Sequence, residues 1–301
     1  MKRVLVTGAN GFVGRHTLAL LHGCGYEVHA VDIRLPEKTV PNIFWHQCNL
    51  LDYSAISGLI TKICPTHLLH FAWYATPGKY WRSLENFYWL AASINLLRLF
   101  REAGGQRVVM AGTSAEYNWD YGYCSEYVTP CNPSSPYGVC KNALQEVLSS
   151  FSAEQNLSSA WGRIFFMYGP GEHTTRLIAS VITSLLRGEA AQCTHGNQIR
   201  DFLHVEDVAS AFVKLLDGSI EGAVNIASGQ PVTLKEMVMI AAGYLDASER
   251  VQFGAISTSE NEPPFIVADV RRLANELFWV PNYNLNEGIK QTVNWFRSNL
   301  Q

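Results

Sequence analysis

Tyr137 and Lys141 are the residues whose types and spacing most directly suggest chemistry. They lie in the segment 135–141, Ser-Pro-Tyr-Gly-Val-Cys-Lys, whose proline suits the first turn of a helix. The i, i+4 spacing places both side chains on one face of that helix. A phenol has a pKa of about 10 in water, and an adjacent ammonium favours the phenolate and lowers that value. The pair is therefore predicted to transfer a proton near neutral pH.

Two hydroxyl residues are predicted to face this pair. The β-branched run 107–111 continues into Gly112, Thr113 and Ser114, so the hydroxyls lie at the carboxyl end of a strand. In an open α/β sheet, ligands bind at that end of the strands. We expect Thr113 and Ser114 to contact the oxygen of a substrate.

The segment 7–14, Thr-Gly-Ala-Asn-Gly-Phe-Val-Gly, follows the first predicted strand and opens the first predicted helix. Gly8 permits a tight turn, Gly11 lets the backbone approach a pyrophosphate, and Gly14 lets helix and strand pack closely. The amides of the helix N-terminus then face the phosphates. The predicted contacts of a dinucleotide in this segment are Gly8, Asn10, Gly11, Phe12, Val13 and Gly14.

Asp32 ends the second predicted strand, at the spacing from the glycines where an acid accepts hydrogen bonds from an adenosine ribose. A carboxylate at that position repels a 2′-phosphate and favours NAD over NADP. Arg34 lies two residues further on and softens the repulsion. NAD is the predicted cofactor, and NADP stays open.

Short β-branched runs alternate with longer helical patterns through the first half of the chain, which predicts an α/β fold with a doubly wound parallel Rossmann sheet. The predicted strands are 3–7, 27–32, 43–48, 67–72, 107–112 and 159–166, followed by strand-like pieces at 201–205 and 222–227. The predicted helices are 12–23, 53–62, 84–103 and 137–155, followed by 174–187, 206–217, 233–243 and 286–299. We assign 1–166 to an NAD(P)-binding domain, with a return segment about 201–227, and 167–301 to a smaller C-terminal substrate domain.

Composition excludes several other classes of function. The formal net charge of −3 over 301 residues offers no general attraction to nucleic acid. No apolar stretch approaches the ~20 residues of a membrane span, and no signal peptide is recognised, so we expect a cytoplasmic protein. The cysteines and the histidines at 70, 173, 195 and 204 lack metal-ligand spacing. No metal is predicted.

Together these motifs resemble the extended short-chain dehydrogenase/reductases, and more narrowly their NAD-dependent nucleotide-sugar epimerase/dehydratase group. The likeness includes the glycine segment, Thr113 before the Tyr137–Lys141 helix, Arg163 ahead of Tyr168-Gly-Pro-Gly, and the segment 198–207. It covers essentially the whole chain. The resemblance implies an enzyme that moves a hydride at a carbon of a nucleotide-activated sugar.

The resemblance also implies individual roles. Tyr137 would exchange a proton with the sugar oxygen, Thr113 would hydrogen-bond that oxygen, and Lys141 would bridge the nicotinamide ribose. Further dinucleotide contacts are implied at Asn49, Leu50, Phe71 and Ala72. Arg200 matches an arginine that pairs with the phosphates of the substrate, a role that suits guanidinium geometry.

Two positions depart from the family pattern. Phe166 stands where the family often has an asparagine that touches the phosphates, and Ser259 stands where a second arginine often lies. Arg176 or Arg250 would have to bind the phosphates in place of these two family residues. Tyr74 belongs to an aromatic segment, 73–81, that either contacts the sugar or packs beneath the second domain.

Within the group, the sequence favours ketone reduction over dehydration. A 4,6-dehydratase needs further acid/base groups beside the threonine, and the two following positions hold Ser114 and Ala115. Glu116 is one step too far along an extended segment and is interpreted as structural. The stretch 253–269 resembles 4-ketosugar reductases of the CDP-abequose synthase type. Reduction of a nucleotide-linked 4-keto-6-deoxysugar is the favoured prediction, with 4-epimerisation as the alternative and a non-catalytic dinucleotide sensor less favoured.

A homodimer is expected, because the family pairs the helix near 84–103 and the Tyr137 helix with a second copy.

Overall fold

The computed structural model describes residues 2–37, 39, 41–259 and 262–300. Its largest element is a parallel sheet with the strand order β3-β2-β1-β4-β5-β7-β11. The strands of this sheet are β1 (Arg3–Thr7), β2 (Glu27–Asp32), β3 (Ile43–Gln47), β4 (His67–His70), β5 (Arg107–Thr113), β7 (Ser158–Ile164) and β11 (Gly222–Ile226). Every neighbouring pair in it is parallel, so all seven carboxyl ends lie along one edge.

Helices cover both faces of this sheet, because both faces of its strands are apolar. Val4 and Val6 of β1 point into one core with α1 and α6, whereas Leu5 points into another with α2, α3 and α4. The helices of the chain are α1 (Gly14–Gly23), α2 (Tyr53–Ile63), α3 (Glu85–Glu102), α4 (Pro136–Gln155), α5 (Leu177–Leu186), α6 (Val205–Asp217), α7 (Leu234–Gly243), α8 (Arg271–Asn275) and α9 (Leu285–Asn299).

Smaller sheets are built mainly from the second half of the chain. Strand β10 pairs with β8, β12 and β14, and β14 also pairs with β6. Strands β9 and β13 form a separate parallel pair. Helices α5, α7 and α9 enclose a third apolar core beside these strands. The strands of the smaller sheets are β6 (Tyr123–Cys124), β8 (Phe166–Tyr168), β9 (Ala191–Cys193), β10 (Ile199–His204), β12 (Pro231–Thr233), β13 (Val251–Phe253) and β14 (Phe265–Ala268).

The α/β fold with a parallel Rossmann sheet is confirmed. The strand predicted at 67–72 ends at His70, and the strand predicted at 159–166 ends at Ile164, after which β8 starts a different sheet. Strand β11 pairs with β7 in the large sheet, whereas β10 lies in a smaller one. The strands that were not predicted are two to four residues long, too short to show a period. No helix of the described chain is both long and apolar enough to cross a membrane.

Candidate active site

The glycine segment forms a tight loop between β1 and α1. Gly8 has a φ of 66°, and a Cβ at that position would lie 2.8 Å from the backbone nitrogen of Ala72. A Cβ at Gly14 would collide with the carbonyl oxygen of Gly8. The bare backbone therefore brings the start of α1 close to the ends of β1 and β4, as the sequence predicted for a phosphate-binding loop.

Asp32 joins this loop to the end of β2. Its Oδ2 accepts a hydrogen bond of 3.0 Å from the Asn10 amide, and its Oδ1 accepts one of 3.3 Å from the Arg34 amide. The carboxylate also lines a cavity at the carboxyl edge of the large sheet. Asp32 thus shapes the loop in addition to being available to a ribose, a function that the spacing alone did not reveal.

A cavity of about 330 Å³ runs along the carboxyl edge of the large sheet. Most of the predicted dinucleotide contacts line it; these are Gly8, Gly11, Phe12, Val13, Gly14, Asp32, Asn49, Leu50, Phe71, Ala72 and Lys141. Asn10 and Arg34 do not line it but hold Asp32 through their backbones. Tyr137 lies at the same cavity. The bare glycine backbone at the start of α1 and the Asp32 carboxylate both line this cavity, so the residues present fit the phosphates and a ribose of a dinucleotide.

Helix α4 carries the catalytic candidates to the end of β5. Ser135 caps the helix by accepting a 3.2 Å hydrogen bond from the Gly138 amide, and Pro136 occupies its first turn. A Cβ at Gly138 would collide with the carbonyl oxygen of Ala115, just beyond β5. This close approach brings Tyr137 beside Thr113, whose side chain interacts with the phenol.

The expectation that the pKa of Tyr137 is depressed is wrong for the protein's own groups. Burial raises the pKa of the Tyr137 phenol above its ordinary value, and the neighbouring Tyr80 raises it further. Thr113 and Arg176 lower the pKa of the phenol, but the net shift is upward. The sequence argument counted the adjacent cation and omitted the desolvation of the phenol, which favours its neutral form.

Lys141 is 3% exposed, and its ammonium lies between a carbonyl and an aromatic ring. The Nζ donates a hydrogen bond of 2.8 Å to the Ala111 carbonyl and lies 3.9 Å from the centroid of the Trp73 ring. Burial lowers the pKa of Lys141 to about 7, and Glu116 partly offsets this shift. The amine is consequently poised to change its charge near neutral pH.

The aromatic segment 73–81 packs around both catalytic candidates. The Tyr80 ring meets Tyr137 edge-on at 4.8 Å between centroids, and Trp81 meets it at 5.6 Å. Arg176 lies over the Tyr80 ring, 5.5 Å from its centroid. The segment therefore forms a wall beside the two catalytic candidates, and Tyr74 is half-buried within it.

Glu116 is fully buried and has a structural role, as the sequence indicated. Its Oε2 is 2.7 Å from Nε of Arg163, and both of its oxygens accept hydrogen bonds of 3.0 Å from the Trp161 indole. Its Oε1 also accepts a 2.8 Å hydrogen bond from the Thr113 amide. Glu116 thereby fixes the end of β5 and is not available to exchange protons with a substrate.

The remaining predicted substrate contacts fall into separate groups. Arg200 pairs with Glu262 at 3.0 Å and lies 5.4 Å from the centroid of the Phe166 ring. Strands β8 and β10 create this cluster by placing Phe166 opposite Phe202. Ser114 is buried and its carbonyl accepts a 2.7 Å hydrogen bond from Trp119. None of these residues lines the dinucleotide cavity.

Two buried polar residues near the site were missed by sequence reasoning. Asn86 is fully buried and accepts a 2.8 Å hydrogen bond from the Trp73 indole. Glu172 follows the Gly-Pro-Gly turn, and burial raises its pKa to about 8 while Arg176 opposes the shift. Neither residue stands in a motif, so only its surroundings reveal it. Within the described residues, no group of three or more metal-ligating side chains is arranged to hold a metal ion.

Comparison with known proteins agrees with this geometry. The model of the family described as "NAD dependent epimerase/dehydratase family" matches residues 4–227. The chain belongs to this family. Family membership identifies the protein as an enzyme of the extended short-chain dehydrogenase/reductase type and NAD as its cofactor.

Curated relatives within the family differ in the reactions that their names state. UDP-glucuronic acid decarboxylase 1 of Danio rerio is 26% identical over 318 residues, covering 100% of this chain and 74% of that protein. CDP-abequose synthase of Salmonella typhimurium is 26% identical, covering 96% and 97%. The NAD⁺-linked dTDP-6-deoxy-L-talose 4-dehydrogenase of Aggregatibacter actinomycetemcomitans is 27% identical, covering 78% and 87%.

Solved structures in the family superpose over nearly the whole chain. MoeE5, in complex with UDP-glucuronic acid and NAD, is 31% identical with a TM-score of 0.86, covering 99% of this chain and 100% of that one. The UDP-glucose 4-epimerase of Thermus thermophilus, in complex with NAD, is 26% identical with a TM-score of 0.88 and the same coverage.

Proposed function

We propose that this enzyme reduces the C4 ketone of a nucleotide-linked 4-keto-6-deoxysugar with NAD(P)H. The observation that carries the proposal is that Tyr137 and Lys141 line the dinucleotide cavity with Thr113 beside the phenol, while the carboxylate of Glu116 is held by Arg163. Two relatives add support. One is named as a 4-dehydrogenase of a 6-deoxysugar nucleotide, whose reverse reaction is this reduction, and the other is CDP-abequose synthase.

The proposed chemistry needs one hydride and one proton. A reduced dinucleotide held by the residues that line the cavity would supply the hydride for the sugar C4. Thr113 and Tyr137 hold the ketone oxygen, and the phenol of Tyr137 donates its proton as the oxygen gains charge. Its raised pKa keeps Tyr137 protonated beforehand, as a proton donor requires. Lys141, one turn further along α4, is the proposed cation that stabilises the resulting phenolate.

Dehydration is disfavoured by the same geometry. A 4,6-dehydratase must remove a proton from one carbon and protonate a leaving hydroxyl, which requires further free acid/base groups. The residues that directly follow Thr113 are the buried Ser114 and Ala115, and Glu116 is bound to Arg163 and Trp161. We infer that the strand end supplies no free carboxylate for that chemistry.

The substrate is proposed to lie between the catalytic group and the arginines of the second half of the chain. Arg200 is the proposed contact for the diphosphate, and its pair with Glu262 holds the guanidinium in place. Arg176 is a second cation near the reacting end. Tyr74, Ser114 and Phe166 remain proposed contacts of the sugar nucleotide.

A nucleotide-sugar 4-epimerase is the alternative, favoured by the likeness to the Thermus enzyme. The two reactions differ in cofactor balance. An epimerase returns the hydride to its own substrate and regenerates its dinucleotide in each cycle. A reductase consumes one NAD(P)H for every ketone that it reduces.

The test is to follow the absorbance of reduced nicotinamide while the purified enzyme acts on CDP-, dTDP-, UDP- and GDP-linked 4-keto-6-deoxysugars. We expect one NAD(P)H consumed per product with at least one of these. Tyr137→Phe is the matched control: it should fold and bind dinucleotide normally but turn over about 10²- to 10⁴-fold more slowly, the usual contribution of a general acid.

Two results would contradict the proposal. Product that accumulates from a fully hydroxylated sugar nucleotide over many turnovers, without net loss of NAD(P)H, would establish the epimerase. Near-normal turnover in the Tyr137→Phe variant would remove this phenol from the mechanism.

A further inference from the structure

The Lys141 ammonium lacks a free carboxylate partner among the described groups that surround it. Glu116, beyond β5, is engaged by Arg163. His70, on β4, has its pKa lowered by burial to about 3, so it is neutral, and its ring is hydrogen-bonded to Thr7 and Ser93. Tyr137, on the same helix, is held neutral by burial. Nζ contacts the Ala111 carbonyl and the Trp73 ring, and the centroid of the Trp161 ring lies further away, at 6.0 Å.

The Trp73 ring is fixed in the position where it meets the ammonium. Its indole nitrogen donates a 2.8 Å hydrogen bond to Oδ1 of Asn86, near the start of α3. The Asn86 amide in turn donates to the carbonyls of Tyr80 and Ser83, at 2.7 and 2.9 Å. A fully buried asparagine therefore joins both ends of the aromatic segment to α3.

A cation centred over an indole face at 3.9 Å is well within the distance at which the ring quadrupole attracts it. The attraction strengthens when water is excluded, as it is around this buried ammonium. It acts only on the charged amine, so it opposes the desolvation that lowers the lysine pKa.

We propose that Trp73 is a positioning residue that keeps Lys141 charged and in place for its role beside Tyr137. The segment 73–81 then serves both members of the pair, with Trp73 beneath the ammonium and Tyr80 against the phenol. The inference rests on the proposed function only in giving Lys141 a catalytic task. The charge state of Lys141 can be measured without turnover.

The experiment is an NMR titration of the full-length protein labelled with ¹³C-lysine, with the Lys141 signal assigned by its loss in Lys141→Arg. Trp73→Leu removes the π face and is expected to lower the pKa of Lys141 by about 0.4 to 1.5 units, the conversion of a cation–π attraction of ~0.5–2 kcal/mol. Trp73→Phe keeps a π face and should show a smaller fall. If the hydride-transfer proposal holds, the pH profile of kcat should shift in the same direction.

A second variant separates the ring's charge distribution from its shape. Pentafluorophenylalanine placed at position 73 has the outline of phenylalanine with a reversed quadrupole, so it should lower the pKa of Lys141 well below that in Trp73→Phe. Equal titration in these two variants would overturn the inference, and so would an unchanged or raised pKa in Trp73→Leu. Failure of every ketosugar assay with an intact titration result would reject the proposed function alone.

Discussion

At the scale of single residues, Asp32 shows how one side chain supports two functions. Its carboxylate lines the dinucleotide cavity and also anchors the glycine loop through the Asn10 amide. A substitution that removes the whole side chain would change the loop and the charge together. Asparagine keeps an oxygen that accepts the Asn10 hydrogen bond, removes the charge and gives up only the longer hydrogen bond from the Arg34 amide.

We predict that the enzyme binds NADH more tightly than NADPH, because the Asp32 carboxylate repels a 2′-phosphate. Asp32→Asn should narrow this difference with little loss of stability. Asp32→Ala should also narrow it but weaken both dinucleotides, since the loop loses its anchor. Calorimetric titration of the three proteins measures both effects. Equal affinity of the unmodified protein for NADH and NADPH would mean that Arg34 outweighs Asp32.

At the scale of elements, the packing of α4 against the end of β5 brings Tyr137 and Thr113 together. The helix approaches the Ala115 carbonyl so closely that position 138 has no room for a Cβ. Ser135 and Pro136 fix where the helix begins. The distance from Tyr137 to Thr113 therefore depends on a glycine that carries no functional group.

Gly138→Ala should push α4 away from β5, and we predict a loss of stability of about 1–3 kcal/mol, as for other overpacked positions. Turnover should fall at least tenfold because the phenol moves away from Thr113. Gly58→Ala is the matched control: it lies in α2 with nothing within 4 Å of the added Cβ, and should stabilise the helix by roughly 0.5–1 kcal/mol. Chemical denaturation and initial rates check both variants. A fully active Gly138→Ala enzyme would refute the claim that close packing at position 138 sets the position of Tyr137.

At the scale of the whole molecule, α3 presents an apolar surface that the described part of the chain leaves uncovered. Its second half packs into the core through Leu96, Leu97 and Phe100, so burial within one chain accounts for those residues. Near its start, Phe87 and Tyr88 are 51% and 62% exposed. Exposed aromatic clusters of this kind are typical of interfaces between proteins.

We predict a homodimer that pairs α3 and α4 of one copy with those of another. Light scattering coupled to gel filtration should give twice the mass of the chain. Phe87→Arg combined with Tyr88→Arg should produce monomers, because the charges cannot be buried at the interface. Val280→Arg, at another exposed apolar position, should leave the mass unchanged. A monomeric unmodified protein would refute the prediction.

The division of the chain into domains is also proposed at this scale. We assign 1–166 to dinucleotide binding and 167–301 to the substrate. The pairing of β11 with β7 places part of the later segment in the large sheet, so α6 and β11 of the return segment would belong with the first domain, whereas β10 lies in a smaller sheet.

The sequence by itself determined the large sheet, the glycine loop, Asp32 and the Tyr137–Lys141 face, because these depend on local period, spacing and turn chemistry. Contacts between distant segments were decided only by the tertiary structure. Lys141 contacts the Trp73 ring, Trp73 donates a hydrogen bond to Asn86, and Glu116 forms an ion pair with Arg163. No local sequence pattern encodes these contacts. The pKa of Tyr137 depends on the same packing, since desolvation is a property of everything that surrounds the phenol.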